Sequence, residues 1–214
     1  AAESGYDELH IGCLGFLLAV CFSSIISPFL NKHPDIKVML EQDYLLPLHN
    51  RLENGELDII ITRSDYIEDT DTQNIRWKKL FNDSFMLLVP SNHPCAGMTS
   101  IDDLSIMENE PFIMVDPTLS APLHQYIMKI CTKRNYIPYV VFKPPSMDAV
   151  FTQVAAGMGI SIVPYLNGHF NYIPGLRFIK LEGDDVRTDA VAAWSINNQN
   201  PAIKNFLEYL DEII

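Results

Sequence analysis

The chain has 214 residues, with 15 Lys and Arg against 27 Asp and Glu, a formal net charge of −12. A surface this acidic repels nucleic acid at long range, so any DNA contact must belong to another segment. Hydrophobic residues at 48% and charged residues at 20% suit a globular α/β protein of one large or two small domains.

The opening "AAESGYDELH" is polar and acidic, unlike a signal peptide, and residues 1–8 are expected to be a linker. A strand over Leu9–Gly12 then leads to a helix over Phe16–Leu30, apolar on nearly every side and bent by Pro28. No apolar run is expected to reach membrane-spanning length; the longest, around Ile11–Ile26, is interrupted by Gly12, Gly15, Ser23 and Ser24. Pro34 stands just before a strand at Ile36–Leu40. In "ENGELDIIITR" a helix ends near Asn54, Gly55 caps it, and Leu57–Thr62 form an apolar strand. The acidic "DYIEDTDT", Asp65–Thr72, reads as a solvated loop. Ser84–Val89 is a strand running into a turn at Pro90–Pro94, and "SIDDLSIMENEP" a short capped helix with a loop after it.

The second half repeats the order of the first. Strand Phe112–Val115, helix Ser120–Cys131, Pro138 before strand Tyr139–Phe142, helix Ser146–Ala156, Gly157 and strand Ile160–Val163 follow their counterparts at a spacing of roughly 100 residues. The Gly-Met-Gly of "VAAGMGISIVP" therefore ends a helix rather than starting one. Carbonyls at a helix C-terminus repel phosphate, so a tight helix-to-strand turn is the better reading. Two βαβαβ lobes with largely parallel sheets are expected. Strand Thr188–Ile196 crosses back, and a closing helix has Asn200 as its cap, Pro201 in its first turn, and Phe206, Leu207, Leu210 and Ile214 towards the core. This places lobe I at residues 9–89 and 190–214 and lobe II at 90–189. Two crossover strands then form a hinge, and the space between the lobes a cleft.

The chain has no G-x-S-x-G elbow and no H-E-x-x-H. His10, His33, His49, His93, His124 and His169 are scattered, without metal-ligand spacing. Cys13, Cys21, Cys95 and Cys131 form no C-x-x-C pair; reduced thiols are the expectation, with a Cys95–Cys131 redox pair as the alternative. No cofactor, metal or catalytic set is expected, which favours a binding module over an enzyme.

The segments "LHIG", "FLNKHPDIKVMLEQ", "LENGELDIIIT", "LLVPSNHP", "VFTQVAAGMGISIVP" and "NPAIKNFLEYL", in this order and spacing, resemble the effector-binding domain of LysR-type transcriptional regulators. The resemblance covers nearly the whole chain and implies an α/β, two-lobed fold of the periplasmic-binding-protein type II. It implies a cytoplasmic regulator whose winged helix-turn-helix precedes this domain and alone touches DNA. It also implies a homodimer or homotetramer, with helix Phe16–Leu30 and strand Ile36–Leu40 facing helix Ser120–Cys131 and strand Tyr139–Phe142 of another copy. The effector pocket it implies draws on Leu14, Gly15 and Phe16, then Tyr44 and Leu45, then Thr62, Arg63 and Ser64. Asp116, Pro117, Thr118 and Leu119, with Ser146 and Met147, complete it. The family often has a small hydroxyl residue where this chain has Phe16 and Leu45, which argues against a small, highly polar effector. Apolar walls with Arg63 and the amides at Ser146 favour a small organic anion with an apolar or aromatic part.

Each of these positions has a plainer alternative. Phe16 and Leu45 can be core, Arg63 a surface residue paired with Asp65, Ser146 only a helix cap, and Met147 packing. A solute-binding protein of a transporter shares the fold and remains the rival function; an enzyme on this fold is the third.

Overall fold

A computed structural model of the chain describes residues 7–69, 73–168 and 173–214. Residues 1–6 of the expected linker, residues 70–72 of the expected acidic loop and His169 lie outside them. The chain divides into two compact units, Ala1–Phe81 with Asp189–Ile214, and Asn82–Thr188.

The first unit runs β1 (Asp7–Leu14), α1 (Gly15–Cys21), α2 (Ser27–Lys32), β2 (Ile36–Asp43), α3 (Leu45–Glu53), β3 (Ile59–Arg63), α4 (Ser64–Asp69) and the start of β4 (Ile75–Pro90). The second continues along β4 through β5 (Ser100–Ile101), β6 (Pro111–Ile113), α5 (Ala121–Lys133), β7 (Tyr139–Phe142), α6 (Met147–Ala155), β8 (Ser161–Pro164) and β9 (Leu176–Leu181). β10 (Arg187–Ser195) then returns the chain to the first unit, which α7 (Pro201–Ile213) closes. The first crossing thus falls inside one sixteen-residue strand, β4, ahead of the Pro90 turn.

In the first unit β1 is parallel to both β2 and β3, and β10 lies antiparallel to β3. Ile59, Ile60 and Ile61 are all buried, as expected of a strand covered on both faces. Gly12 admits α3 to the sheet: a Cβ there would lie 2.5 Å from Leu57 Cδ1 and 2.6 Å from Leu48 Cδ2. α2 packs on α7, where the Phe29 and Phe206 rings meet edge to face at 5.0 Å.

The expected bend at Pro28 takes the form of a π turn. Residues Phe22–Ile26 form it between α1 and α2, and the Ser27 N–H bonds the Phe22 carbonyl five residues back. Proline has no N–H and its ring clashes with the carbonyl four residues before it, so a local widening of the helix accommodates it. Gly15–Lys32 is thereby a continuous helical segment of 18 residues with mean hydropathy 1.4, long and apolar enough to cross a membrane by length and composition. That corrects the expectation that no run reaches such length. In this chain Leu17, Cys21, Ile25, Ile26 and Phe29 of the segment are buried in the first unit.

α7 also departs from expectation. Phe206 and Leu210 are buried, Leu207 is half-buried, and Ile214 is 56% exposed. Ile203 and Tyr209 are buried instead. The helical repeat carries the apolar stripe through 203, 206, 209 and 210, and the helix ends before Ile214 can join it.

In the second unit β4 pairs antiparallel with β8 and β9, and β9 is parallel to β5. β6 and β7 are parallel, and Ile160 bridges β6 to the start of β8. The expected capped helix after Ser100 is a single 3-10 turn, Leu104–Met107, with Asp103 accepting from the Ser105 N–H. The glycines after α6 are structural: Gly157 has φ +76°, matching Gly55 at +73° after α3. A Cβ on Gly159 would come 2.2 Å from the Pro111 carbonyl oxygen, beside the bond from the Ile160 N–H to that oxygen. The turn joins α6 to the sheet.

Candidate functional site

The parallel pairing of β1, β2 and β3 brings three loops to one edge of the first sheet. Leu14 ends β1 opposite Asp43 of β2, and Cys13 lies opposite Ile61 of β3. Leu14, Gly15 and Phe16, then Tyr44 and Leu45, then Thr62, Arg63 and Ser64 therefore sit together at the C-terminal ends of neighbouring strands. In open α/β sheets this edge is where ligands bind. Within this set Tyr44 is exposed and Phe16 half-buried, whereas Leu14 and Leu45 are buried. For Leu45 the core alternative accounts for its place.

At the end of β3 the three polar side chains are all buried. Arg63 is not on the surface, as its plainer alternative supposed, but it does pair with Asp65. Nε donates to Oδ1 at 2.9 Å and Nη2 to Oδ2 at 2.8 Å, with the side chains 3% and 9% exposed. Such a bidentate fork fixes the guanidinium plane and neutralises its charge locally. The Ser64 hydroxyl oxygen accepts from the Asp189 N–H at 3.0 Å, and the Thr62 hydroxyl is fully buried with no hydrogen-bond partner. A buried hydroxyl without a partner costs free energy until something supplies one.

In the second unit the parallel strands β6 and β7 bring a second set of loops together. The Asp116 N–H donates to the Pro144 carbonyl at 3.0 Å, joining Asp116, Pro117, Thr118 and Leu119 to the segment entering α6. Asp116 Oδ1 accepts from both the amide and the hydroxyl of Thr118, at 2.9 and 2.7 Å. The Thr118 hydroxyl first, then its amide, hold the Asp116 carboxyl below the usual carboxylate range. Ser146 caps α6 by accepting from the Ala149 N–H at 3.2 Å, leaving other first-turn amides of the helix unsatisfied by this side chain. Met147 is buried in packing.

Sequence reasoning passed over two buried side chains of the first unit. His49 was counted only as one of six scattered histidines; on α3 its ring meets Tyr66 of α4 edge-on at 5.7 Å, and its Nδ1 is buried without a hydrogen-bond partner. The helical spacing of His49 from Leu45, Leu48 and Leu52 was the available signal. Asp58, in "GELDIII", accepts from the His10 N–H and from the side-chain amides of Asn198 and Asn200. A lone carboxylate beside an apolar strand was its signal.

Among the described residues no three His, Cys, Asp or Glu side chains are arranged to hold a metal ion. The Cys13 thiol is raised by the neighbouring Cys21 thiol and by burial, and burial pushes Cys131 up to about 12. Thiols of this kind are poor nucleophiles.

The family described as the LysR substrate binding domain matches residues 3–213. The HTH-type transcriptional regulator YybE of Bacillus subtilis is 30% identical over 160 residues, 75% of this chain and 52% of that protein. The transcriptional dual regulator GltC of the same organism is 26% identical over 164 residues, covering 74% and 53%. The chain thus spans about half the length of these curated relatives. Among solved structures, the BenM effector binding domain with its effector benzoate is similar at TM-score 0.81 and 21% identity, covering 96% of this chain and 91% of that one. The C-terminal domain of a probable LysR family transcriptional regulator from Rhodococcus sp. RHA1 gives TM-score 0.79 at 19% identity, covering 96% and 98%. These likenesses establish the two-lobed α/β fold of the type II periplasmic-binding proteins, and the match is to a domain of regulators rather than to a transporter's solute-binding protein. The chain belongs to the LysR substrate-binding domain family.

Proposed function

We propose that the chain senses a small organic effector for a DNA-binding transcriptional regulator and catalyses no reaction itself. The observation that carries this is the gathering of three loops at the C-terminal edge of β1, β2 and β3, where Thr62 offers a buried hydroxyl with no partner. The effector meets this set, with Phe16 and Tyr44 along its apolar body; the Asp116–Leu119 and Ser146–Met147 loops are the matching set of the second unit. An organic anion with an apolar or aromatic part fits best. Its head meets the Thr62 and Ser64 hydroxyls, while Arg63, already bound to Asp65, shapes the wall; in the second unit the amides opening α6 also favour an anion. BenM, whose effector is benzoate, supports this class.

DNA contact belongs to a winged helix-turn-helix ahead of this segment, since the relatives are HTH-type regulators about twice its length. Such a regulator works in the cytoplasm as a homodimer or homotetramer. The edge strands β2 and β7, with exposed Met39 on one and exposed Tyr139 and Val141 on the other, are the surfaces that pair with another copy. Calorimetry with a panel of aromatic and aliphatic carboxylates tests the effector class. One aromatic carboxylate is expected to bind with Thr62→Val weakening it at least tenfold, the loss of a charge-assisted hydrogen bond being worth about 1.5–3 kcal/mol. Binding unaltered by Thr62→Val overturns the placement of the head.

A further inference from the structure

We infer that Ser64 ties the end of β3 to the point where the chain re-enters the first unit, and so acts as a positioning residue for the candidate site. Asp189 is the first residue of the returning segment. In the antiparallel ladder Ala190 stands opposite Arg63, so Asp189 falls opposite Ser64, one step past the end of β3. There the chain enters α4, and the Ser64 hydroxyl oxygen accepts the Asp189 N–H at 3.0 Å. The carboxylate of Asp189 lies 3.6 Å from the Lys79 ammonium on β4, the strand that leaves the unit. Both crossing strands therefore meet at Asp189, and the side chain that holds its amide belongs to the candidate site.

A serine hydroxyl that accepts one hydrogen bond keeps its own proton to donate. A ligand carboxylate or carbonyl that takes this proton makes the oxygen a stronger acceptor, because bonds in such a chain polarise one another. Occupancy then tightens the hold on Asp189, so that β3 and the crossing strand respond as one piece. This second step rests on the reading of Thr62–Ser64 as effector contacts; the tie itself does not.

Amide hydrogen exchange, resolved by residue, tests the tie. Ser64→Ala is expected to speed exchange at Asp189 by about tenfold while β1 and β2 stay at wild-type rates. Ser64→Thr, which keeps the hydroxyl, restores protection. Ser64→Cys, close in size but a weak acceptor, gives the same readout if the alanine variant does not fold. Wild-type exchange at Asp189 in Ser64→Ala or Ser64→Cys, or an acceleration spread evenly over β1, β2 and β3, overturns the proposal. With benzoate as the probe, at concentrations that saturate its heat of binding, Asp189 exchange is expected to slow in the wild type and not in Ser64→Ala. Bound benzoate that leaves Asp189 unaffected in the wild type overturns the relay. An absence of any binding heat counts against the proposed effector class alone, and the Asp189 amide without ligand still decides the tie.

Discussion

The two sets of loops are built in different ways. In the first unit the polar side chains at the end of β3 are buried, and two of them are held by residues of their own unit: Arg63 by Asp65, Ser64 by the Asp189 amide. In the second unit Asp116 and Ser146 are half-buried, Thr118 is exposed, and their side-chain bonds are local, an Asx turn at Asp116 and a cap at Ser146. The difference follows from where each loop begins. β3 is covered on both faces and ends in the core, so its polar residues must find partners or cost free energy. The loops after β6 and before α6 lie near the surface, where water meets the same need. The first set is therefore fixed by the packing of its own unit, and the second by its own local turns.

Breaking the first set has the largest expected effect. Arg63→Ala leaves Asp65 buried without its guanidinium, and removal of one partner of a buried pair costs about 3–5 kcal/mol. Denaturant unfolding checks this, and a loss below about 1 kcal/mol would mean that the pair is solvated like a surface bridge. Leu45→Ala, at a position 2% exposed, is expected to cost about 3 kcal/mol in the same measurement, because it empties space between α3 and the sheet. A much smaller loss would move Leu45 from the core to an open pocket wall.

The second set gives smaller effects. Ser146→Ala removes the cap of α6 and is expected to cost about 1 kcal/mol, with Ser146→Asp close to wild type. The weakest effect concerns Asp116. Its folded pKa lies below the ordinary value, so its contribution is complete above the unfolded pKa and lost as pH falls through the folded one. Carboxyl titration by NMR is expected to place its midpoint below that of an ordinary aspartate, and Thr118→Val to raise it. A midpoint unmoved by Thr118→Val would show that the turn is not formed in solution.

Much of the fold was legible because its punctuation is chemical. Gly55 and Gly157 both take positive φ at the ends of helices, and the duplicated order rests on them. Asn200 caps α7 as its residue type suggests. Less legible were features that depend on partners distant in sequence. Nothing around Pro28 specifies a π turn rather than a kink, and nothing near Ser64 announces Asp189. The Arg63–Asp65 pair was visible as a spacing of two, but its burial was not, since that depends on the sheet closing over it. Ile214 was misplaced because the apolar stripe of α7 was extended past the helix end.

Asp58 bears on the order in which the molecule can be made. Its carboxylate accepts from His10, on one side of the second unit in sequence, and from Asn198 and Asn200 on the other. Asn82–Thr188 is one unbroken stretch and can fold as soon as it leaves the ribosome. The split unit cannot close until Asp189–Ile214 arrive, and until then β3 waits without β10 beside it and Asp58 without its two amides. Of these two units the continuous one is thus the first that can be complete, and the exposed edge of β3 is the surface that needs protection during synthesis.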